Sequence, residues 1–326
     1  MLLDIILIVI GVAMVLYGAD SLTEGASALA RRMNVSEIII GLTIVAAGTS
    51  APELFVSLVS ALKDTPDLAV GNVVGSNTMN CMLIVGCAAM VAPMTISRST
   101  VKKDIPFSVG ASLLLMLLAL NSFLGRVDGI ILLLGFAAFM AYTLRQAKTG
   151  KAEDHEDHGD GSDDPISGGN GITQNRPHDP GKNVLFLLGG LLLLAVGSNV
   201  FVGHASSLAL SLGVSEGVVG LTVVAGGTSL PELATSVVAA RKGQSAIAIG
   251  NVIGSNVFNI LLILGLTATI SPLEITGITT IDMAVMLLSV ALVWLFSFTR
   301  FTVERWEGAV LVGGYLVYLG WLISNL

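Results

Sequence analysis

Hydrophobic runs of membrane-spanning length alternate with short polar loops along the whole chain. A helix needs about 20 mainly apolar residues to cross the hydrocarbon core of a bilayer. Ten runs meet that requirement, and they lie near residues 3–22, 36–62, 68–92, 105–123, 129–147, 183–204, 217–240, 246–271, 279–298 and 308–325. The pattern therefore predicts an all-α polytopic membrane protein with ten transmembrane helices.

The composition supports a membrane protein and excludes an ordinary soluble domain. Of 326 residues, 53% are hydrophobic and only 12% are charged, whereas about 25% charged residues is usual for soluble domains. The net charge of −7 does not indicate a nucleic-acid partner, because most of the excess acid lies in one segment. The first apolar run lacks a basic start and a small-residue cleavage pattern, so we predict a retained helix and not a signal peptide.

One segment occurs twice. The run from Gly41 to Leu54, GLTIVAAGTSAPEL, returns as GLTVVAGGTSLPEL from Gly220 to Leu233. The offset is 220 − 41 = 179 residues, and over 41–80 against 220–259 there are 23 identities in 40 positions. Such similarity indicates an internal duplication.

The basic residues predict the orientation of the helices, because loops rich in lysine and arginine stay in the cytoplasm. With the N-terminus outside, fourteen of the 16 basic residues fall in inside loops, and only Lys63 and Arg126 fall outside. Both termini are therefore predicted to lie outside the cytoplasm.

The two halves are predicted to be inverted repeats. Residues 1–147 and 183–326 each contain five spans, and an odd number means that the second half enters the membrane from the opposite side. In transporters of this design the substrate lies near the midplane, between discontinuous helices of both halves.

The segment 148–182 between the halves is acidic and then rich in glycine, asparagine and proline. This composition cannot bury a core and predicts a disordered cytoplasmic linker. A solvated tether is one interpretation, and a weak cytosolic collector of divalent cations through carboxylates and imidazoles is the other.

The second and seventh spans are interrupted by a proline followed by a glutamate, at Pro52–Glu53 and Pro231–Glu232. Proline has no N–H, so the carbonyls of Gly48 and Gly227 lose their helical partners. A carboxylate at membrane depth is costly and indicates function. The spacing i, i+4, i+7, i+11 predicts one polar face in each half: Ala46, Ser50, Glu53 and Ser57, and then Ala225, Ser229, Glu232 and Ser236.

The third and eighth spans carry matching polar residues spaced four apart: Asn72, Ser76 and Asn80, and then Asn251, Ser255 and Asn259. Four glycines there, Gly71, Gly75, Gly250 and Gly254, are predicted to permit close helix contact in lipid. Carboxylates, hydroxyls, amides and free carbonyls are all oxygen ligands, which hard cations such as Ca²⁺ and Na⁺ prefer. Two facing carboxylates repel each other, and a divalent cation or a proton would relieve that repulsion.

These residues could serve three functional classes: an antiporter, an intramembrane hydrolase or a cation channel. A polar residue within a span often only joins helices, but a duplicated proline–glutamate beside a duplicated Gly-Ser-Asn favours an ion site. An intramembrane hydrolase is disfavoured because Ser50 and Ser229 have no motif-linked histidine. A cation channel could use the same oxygens, and a requirement for a counter-ion on the other side would distinguish an antiporter from it.

The doubled motifs Gly-Thr-Ser-x-Pro-Glu and Gly-Asn-Val-x-Gly-Ser-Asn resemble the α-repeats of the sodium/calcium exchangers, within the calcium/cation antiporter superfamily, and most nearly its bacterial members. The resemblance covers essentially the whole chain. It implies a secondary antiporter, not an enzyme, that exchanges Ca²⁺ for Na⁺ by alternating access in the bacterial inner membrane. It implies no cofactor, no nucleic acid and no obligate protein partner, only the ions and the lipid bilayer. In the family, the first and sixth helices slide across the rest.

The same resemblance implies the ligands. Ca²⁺ would bind to Glu53 and Glu232 with the backbone carbonyls of Thr49 and Thr228, and Asn80 and Asn259 would complete the centre. One sodium site would involve Glu53, Ser76, Ala225 and Ser229, and the other Glu232, Ala46, Ser50 and Ser255.

The chain departs from the family pattern at Asn259, where well-studied exchangers commonly have aspartate. The site then has two carboxylates instead of three, which leaves Ca²⁺/H⁺ exchange as an alternative. The proton-coupled branch has glutamate in a Gly-Asn-x-x-Glu pattern where this chain has Gly75 and Gly254, which favours sodium.

The orientation can be tested with reporter fusions. We expect alkaline phosphatase fused after Leu326 to be active, because that end is predicted to lie outside, and a fusion near Gly169 to be inactive. The opposite pattern would contradict both the orientation and the inverted repeat.

Overall fold

A computed structural model describes residues 1–153, 180–213, 225–298 and 300–324. Helices make up nearly all of this part, with two very short ribbons in the loops. The helices are α1 (Leu2–Met33), α2 (Glu37–Thr49), α3 (Ala51–Leu62), α4 (Pro66–Val91), α5 (Thr100–Asn121), α6 (Arg126–Glu153), α7 (Pro180–Ser211), α8 (Ala225–Thr228), α9 (Leu230–Arg241), α10 (Ser245–Ile270), α11 (Thr280–Ser297) and α12 (Arg305–Ser324). Turns of π-helix occur within them at Gly41–Val45, Asn80–Ile84, Thr100–Asp104 and Phe258–Leu264.

The described helices confirm the prediction of an all-α polytopic membrane protein. Among them, 8 are long and apolar enough to cross a bilayer, or 9 if the bent pair α2 and α3 forms one span. The count of ten stays a prediction, because the seventh predicted span begins at residue 217 and residues 214–224 lie outside the described part. Most of the predicted linker, residues 154–179, also lies outside it.

Helices α1 and α7 are longer than predicted. Each has 32 residues and is therefore about 48 Å long, well beyond the ~30 Å hydrocarbon core. The predicted first span ended at residue 22 because polar residues follow, but the helix continues to Met33 and ends at Asn34 in a left-handed conformation, φ 52°. These helices must tilt or project from the bilayer.

Glycines at seven-residue intervals bring α1 and α7 into direct backbone contact. They are Gly11, Gly18 and Gly25 on α1 and Gly190 and Gly197 on α7. The helices are antiparallel, since Gly11 lies opposite Gly197 and Gly18 lies opposite Gly190. A Cβ atom on Gly190 would lie 2.6 Å from the backbone nitrogen of Leu22. Small residues allow such close van der Waals packing in lipid, so α1 and α7 form one unit.

Two short antiparallel ribbons join loops of opposite halves. Strand β1 (Met94–Thr95) pairs with β4 (Thr302–Val303), and β2 (Phe123–Leu124) pairs with β3 (Leu273–Glu274). The 179-residue offset relates β1 to β3 and β2 to β4. The symmetry that superposes one half on the other therefore places the β1–β4 ribbon on the β2–β3 ribbon. Because β1 and β2 lie at opposite ends of α5, that symmetry also swaps the two ends of the molecule, as expected of inverted repeats.

Helices α4 and α10 occupy the centre. In their apolar windows 78% and 94% of residues are buried, against 22% for α1. Helix α10 packs on α2, where the Cα atom of Gly250 lies 3.0 Å from a Cβ built on Gly41. The centre of the bundle is therefore formed by the helices that carry the duplicated motifs.

The α1–α7 contact can be tested with neighbouring glycines. We expect Gly190→Val to lower the melting temperature of the detergent-solubilised protein by about 3 °C or more, because overpacking costs roughly 1–3 kcal/mol. Gly189→Val is the matched control, since nothing described lies within 4 Å of a Cβ at Gly189. Equal melting temperatures for the two variants would contradict the role of the glycine contact.

Candidate ion-binding site

Each half contains a broken helix at the duplicated motif. Helix α2 ends at Thr49, α3 begins at Ala51, and their axes bend by 46°. Ser50 lies at the break with φ −83° and ψ 7°, and Pro52 follows in the first turn of α3. In the second half, Ser229 lies at the break between α8 and α9 with φ −89° and ψ 9°, ahead of Pro231. The prolines thus interrupt both helices at equivalent places.

The bend corrects the prediction of one continuous helical face. Ala46 lies in α2 and Ser50 at its end, whereas Glu53 and Ser57 belong to α3. All four side chains are nevertheless buried. The carbonyl of Gly227, predicted to lose its helical partner, accepts a 2.7 Å hydrogen bond from the hydroxyl of Ser198 on α7.

The two glutamates are buried, with exposed fractions of 1% for Glu53 and 0% for Glu232. Each accepts a hydrogen bond from the serine at the break of the other half. Ser229 Oγ donates to Glu53 Oε1 at 3.0 Å, and Ser50 Oγ donates to Glu232 Oε1 at 3.1 Å. The second oxygen, Oε2, has no hydrogen-bond partner in either glutamate among the described residues. The halves are thus linked reciprocally, and each carboxylate keeps one oxygen available.

Asn72 and Asn251 hold the broken helices to α4 and α10. Asn72 Nδ2 donates to the Glu53 carbonyl at 3.2 Å and to Ser57 Oγ at 3.0 Å. Asn251 Nδ2 donates in the same way to the Glu232 carbonyl at 3.3 Å and to Ser236 Oγ at 3.0 Å. The Asn251 Oδ1 atom accepts from Thr49 Oγ1 at 2.9 Å. Asn251 therefore positions the site and does not offer a free ligand oxygen.

Four buried asparagines cross-link the centres of α4 and α10. Asn80 Nδ2 donates to Asn256 Oδ1 at 3.0 Å, and Asn259 Nδ2 donates to Asn77 Oδ1 at 3.0 Å. Asn77 Nδ2 donates to the backbone carbonyl of Asn256 at 3.2 Å, and Asn256 Nδ2 donates to Cys81 Sγ at 3.0 Å. This network fixes the orientation of Asn80 and Asn259 and leaves both of their Oδ1 atoms without a partner among the described residues.

Asn77 and Asn256 are site residues that the sequence reasoning missed. The four-residue spacing of Asn72, Ser76 and Asn80 does not include Asn77, and the matching spacing in the second half does not include Asn256. The available signal was their duplication, since both belong to the repeated Gly-Ser-Asn segment.

Four unpartnered buried oxygens result, belonging to two carboxylates and two amides: Glu53 Oε2, Glu232 Oε2, Asn80 Oδ1 and Asn259 Oδ1. In the described part of the chain, no basic side chain forms an ion pair with either glutamate. Two ionised carboxylates buried without counter-charges are strongly unfavourable. Their charge and hard oxygen atoms suit a divalent cation such as Ca²⁺.

The other predicted ligands surround this centre. Ser76 Oγ lies within hydrogen-bond distance of Ser229 Oγ, at 3.1 Å, whereas the buried Ser255 Oγ has no described partner. Thr49 is buried beside Asn251, and Thr228 ends α8. Ala225 is the first residue of α8, and its side chain lies outside the described part.

The four glycines predicted to permit close helix contact in α4 and α10 differ in their surroundings. A Cβ on Gly254 would lie 2.7 Å from Ala46 Cβ, so α10 packs tightly on α2. A Cβ on Gly71 would meet the Ile278 side chain at 3.1 Å, and one on Gly75 would meet nothing described within 4 Å. Close backbone contact is thus observed for the glycines of α10.

The family model of the sodium/calcium exchanger protein matches residues 3–145 and 182–324. The chain belongs to the sodium/calcium exchanger family. It is 37% identical to the inner membrane protein YrbG of Escherichia coli (strain K12) over 99% of this chain and 97% of that protein. It is 32% identical to the sodium/calcium exchanger MaX1 of Methanosarcina acetivorans, over 97% of each.

The fold agrees with a solved exchanger structure. The sodium-calcium exchanger NCX_Mj superposes with a TM-score of 0.83 at 28% identity, covering 98% of this chain and 99% of that one. The resemblance proposed from the duplicated motifs is thus confirmed. The chain is an integral membrane protein of a cation/Ca²⁺ antiporter family, and that family consists of transporters.

The asparagine network generates a testable prediction. Asn77→Leu keeps the side chain similar in size but removes the acceptor for Asn259, whose amide can then turn. Loss of residues that orient ligands typically costs 10–100-fold in metal affinity, so we expect about a tenfold loss in apparent Ca²⁺ affinity. Ca²⁺ uptake into proteoliposomes measures this.

Cys81→Ala is the control for this change, because it removes an acceptor of Asn256 but leaves the acceptors of Asn80 and Asn259 in place. We expect its Ca²⁺ affinity to stay within about threefold of the parent. If Asn77→Leu transports with the parent affinity, the network does not orient the ligands.

Proposed function

We propose that this protein exchanges Ca²⁺ for Na⁺ by alternating access, with Ca²⁺ held between Glu53 and Glu232. One observation carries the proposal: both carboxylates are buried, each keeps an unpartnered Oε2 atom, and no basic residue of the described part forms an ion pair with either. Backbone carbonyls of Thr49 and Thr228 at the two breaks, together with Asn80 and Asn259, supply the neutral ligands.

Competition between the ions follows from the charge of the site. The two carboxylates carry −2, which one Ca²⁺ or two Na⁺ would balance. The proposed sodium sites share these carboxylates: Glu53 with Ser76, Ala225 and Ser229, and Glu232 with Ala46, Ser50 and Ser255. The contacts of Ser229 with both Glu53 and Ser76, and of Ser50 with Glu232, support this grouping. Since the ions share ligands, they would bind alternately.

Sodium is proposed as the counter-ion in preference to the proton. The chain has glycine at Gly75 and Gly254, where the proton-coupled branch has glutamate, and it is similar to the sodium/calcium exchanger MaX1. No cofactor is needed for this exchange.

Movement of α1 and α7 against the rest is proposed to alternate access. A Cβ on Gly48 would overlap the side chain of Leu191, and one on Gly227 would overlap the side chain of Val202. Helix α7 therefore covers the residues just before both breaks, and its displacement would uncover them. We propose that both termini lie outside, with segment 148–182 acting as a cytoplasmic tether between the halves.

The central test is substitution of the glutamates. We expect Glu53→Gln and Glu232→Gln each to lower apparent Ca²⁺ affinity by about 100-fold. One carboxylate at ~4 Å contributes on the order of 4 kcal/mol to a unit charge, desolvation offsets much of that gain, and about 1.4 kcal/mol is tenfold. Sodium binding should weaken less, because a monovalent ion gains half as much from the same field. Glu24→Gln is the control, since Glu24 is 59% exposed and lies outside the site.

The counter-ion is tested in proteoliposomes by imposing a sodium gradient and, separately, a proton gradient of equal size. We expect Ca²⁺ uptake only when the imposed sodium gradient is directed outward. Uptake driven by protons alone would favour Ca²⁺/H⁺ exchange, and uptake with no counter-ion would indicate a channel. Parent-like Ca²⁺ affinity of folded Glu53→Gln would show that the ion binds elsewhere.

A further inference from the structure

A second group of buried, unpartnered oxygens lies where the start of α5 meets the end of α6. Asp104 is 1% exposed, and neither of its carboxylate oxygens has a hydrogen-bond partner among the described residues. Ser108 is one helical turn further on and therefore shares its face. It is fully buried, and its hydroxyl is also without a described partner.

Helix α6 contributes two more such oxygens, Tyr142 Oη and Gln146 Oε1. Gln146 Nε2 donates to Ser99 Oγ at 2.9 Å, which places this amide at the start of α5. Tyr142 lies between Phe139 and Gln146 on α6, about one turn from each, and therefore shares the face that contacts α5. The rings of Phe107 and Phe139, 5.1 Å apart, pack the two helices together one turn away. The oxygens therefore converge between α5 and α6.

The second half provides a revealing comparison in Asp282, a buried aspartate near the start of α11. One oxygen accepts from Tyr318 at 2.7 Å, and the other accepts from the backbone N–H and hydroxyl of Thr279 at 2.8 and 2.7 Å. The 179-residue offset places Phe139, which has no hydroxyl, where Tyr318 lies. The same offset places Lys103, and not Asp104, where Asp282 lies. Asp104 is thus a buried aspartate one position further along that lacks the hydrogen bonds which compensate Asp282.

A buried carboxylate without hydrogen bonds needs a positive charge nearby. Among the described residues no basic group forms an ion pair with Asp104, and the neighbouring Lys103 is exposed. Oxygens held about 2.4 Å from one hard cation lie about 3.4 Å from each other, close to the limit for direct hydrogen bonds. A shared cation therefore explains why these enclosed oxygens are not hydrogen-bonded to one another.

We propose that Asp104, Ser108, Tyr142 and Gln146 bind a sodium ion at a site separate from the exchange site. One carboxylate balances one monovalent charge, whereas a divalent ion would leave a buried net charge of +1. Carboxylate, hydroxyl and amide oxygens suit a hard cation. The site uses only α5 and α6, so it does not depend on the exchange function. Its role is to hold α5 and α6 together where α6 leads toward segment 148–182.

The experiment uses the full chain with the exchange site inactivated by Glu53→Gln and Glu232→Gln. We expect sodium chloride, compared with choline chloride at equal ionic strength, to raise the melting temperature of this purified double variant by about 3 °C or more. Equilibrium binding of radioactive sodium should be saturable, at about one ion per chain. Adding Asp104→Asn should abolish both effects and raise the melting temperature in choline, because the uncompensated charge is gone.

Asp282→Asn is the matched control. It should lower the melting temperature equally in sodium and choline, because it disturbs hydrogen bonds and no ion. Should Asp104→Asn fail to fold, Ser108→Ala and Tyr142→Phe provide the test, each expected to weaken sodium binding by about tenfold.

Several outcomes would overturn the proposal. The first is absence of saturable sodium binding in the double variant, or binding that survives Asp104→Asn. Stabilisation by Ca²⁺ but not by sodium would assign a divalent ion instead. Destabilisation by Lys148→Gln or Lys151→Gln without any sodium effect would assign the counter-charge to a lysine. A melting temperature that responds to pH but never to sodium would assign a protonated Asp104.

Discussion

The reciprocal pairing of Glu53 and Glu232 with serines of the opposite half is the constraint on which the centre of this structure depends. Ser229 donates to Glu53, and Ser50 donates to Glu232, so neither half completes its own site. Buried carboxylates tolerate little error in their surroundings, because charge is costly in a medium of low dielectric constant. The duplicated breaks, the asparagine network and the packing of α2 on α10 all position these two groups.

Glycine packing governs the rest of the bundle. In lipid, helices gain little from hydrophobic burial against one another and associate through close van der Waals contact and hydrogen bonds. Gly41 and Gly250 bring α2 onto α10 beside the site, and heptad glycines join α1 to α7. The contact between α2 and α10 supports the site, and the contact between α1 and α7 makes these two long helices a separate unit. A packed centre beside a separate helix pair is the arrangement that the proposed movement of α1 and α7 requires.

The duplication also shows where the halves differ. Ser76 is bonded to Ser229, whereas its counterpart Ser255 has no described partner. Asp282, which the 179-residue offset places opposite Lys103, has its carboxylate fully hydrogen-bonded, whereas the buried Asp104 beside Lys103 has no described partner. Symmetric sequence motifs thus produce asymmetric environments, because the residues that surround each motif have diverged.

The sequence alone determined the fold class, the duplication, the family and the two central carboxylates. Each of these can be inferred from the sequence itself, from the length of the apolar runs, the internal repeat and the proline that precedes each glutamate. Only the tertiary structure decided that Ser50 and Ser229 cross between halves, that Asn77 and Asn256 orient Asn80 and Asn259, and that Asn251 is a positioning residue. It also showed that α1 continues to Met33 and that the helix predicted to carry Ala46 to Ser57 on one face is bent between Thr49 and Ala51. The physical reason is that hydrogen-bond partners and packing distances join residues about 180 positions apart, and no local pattern records which donor meets which acceptor.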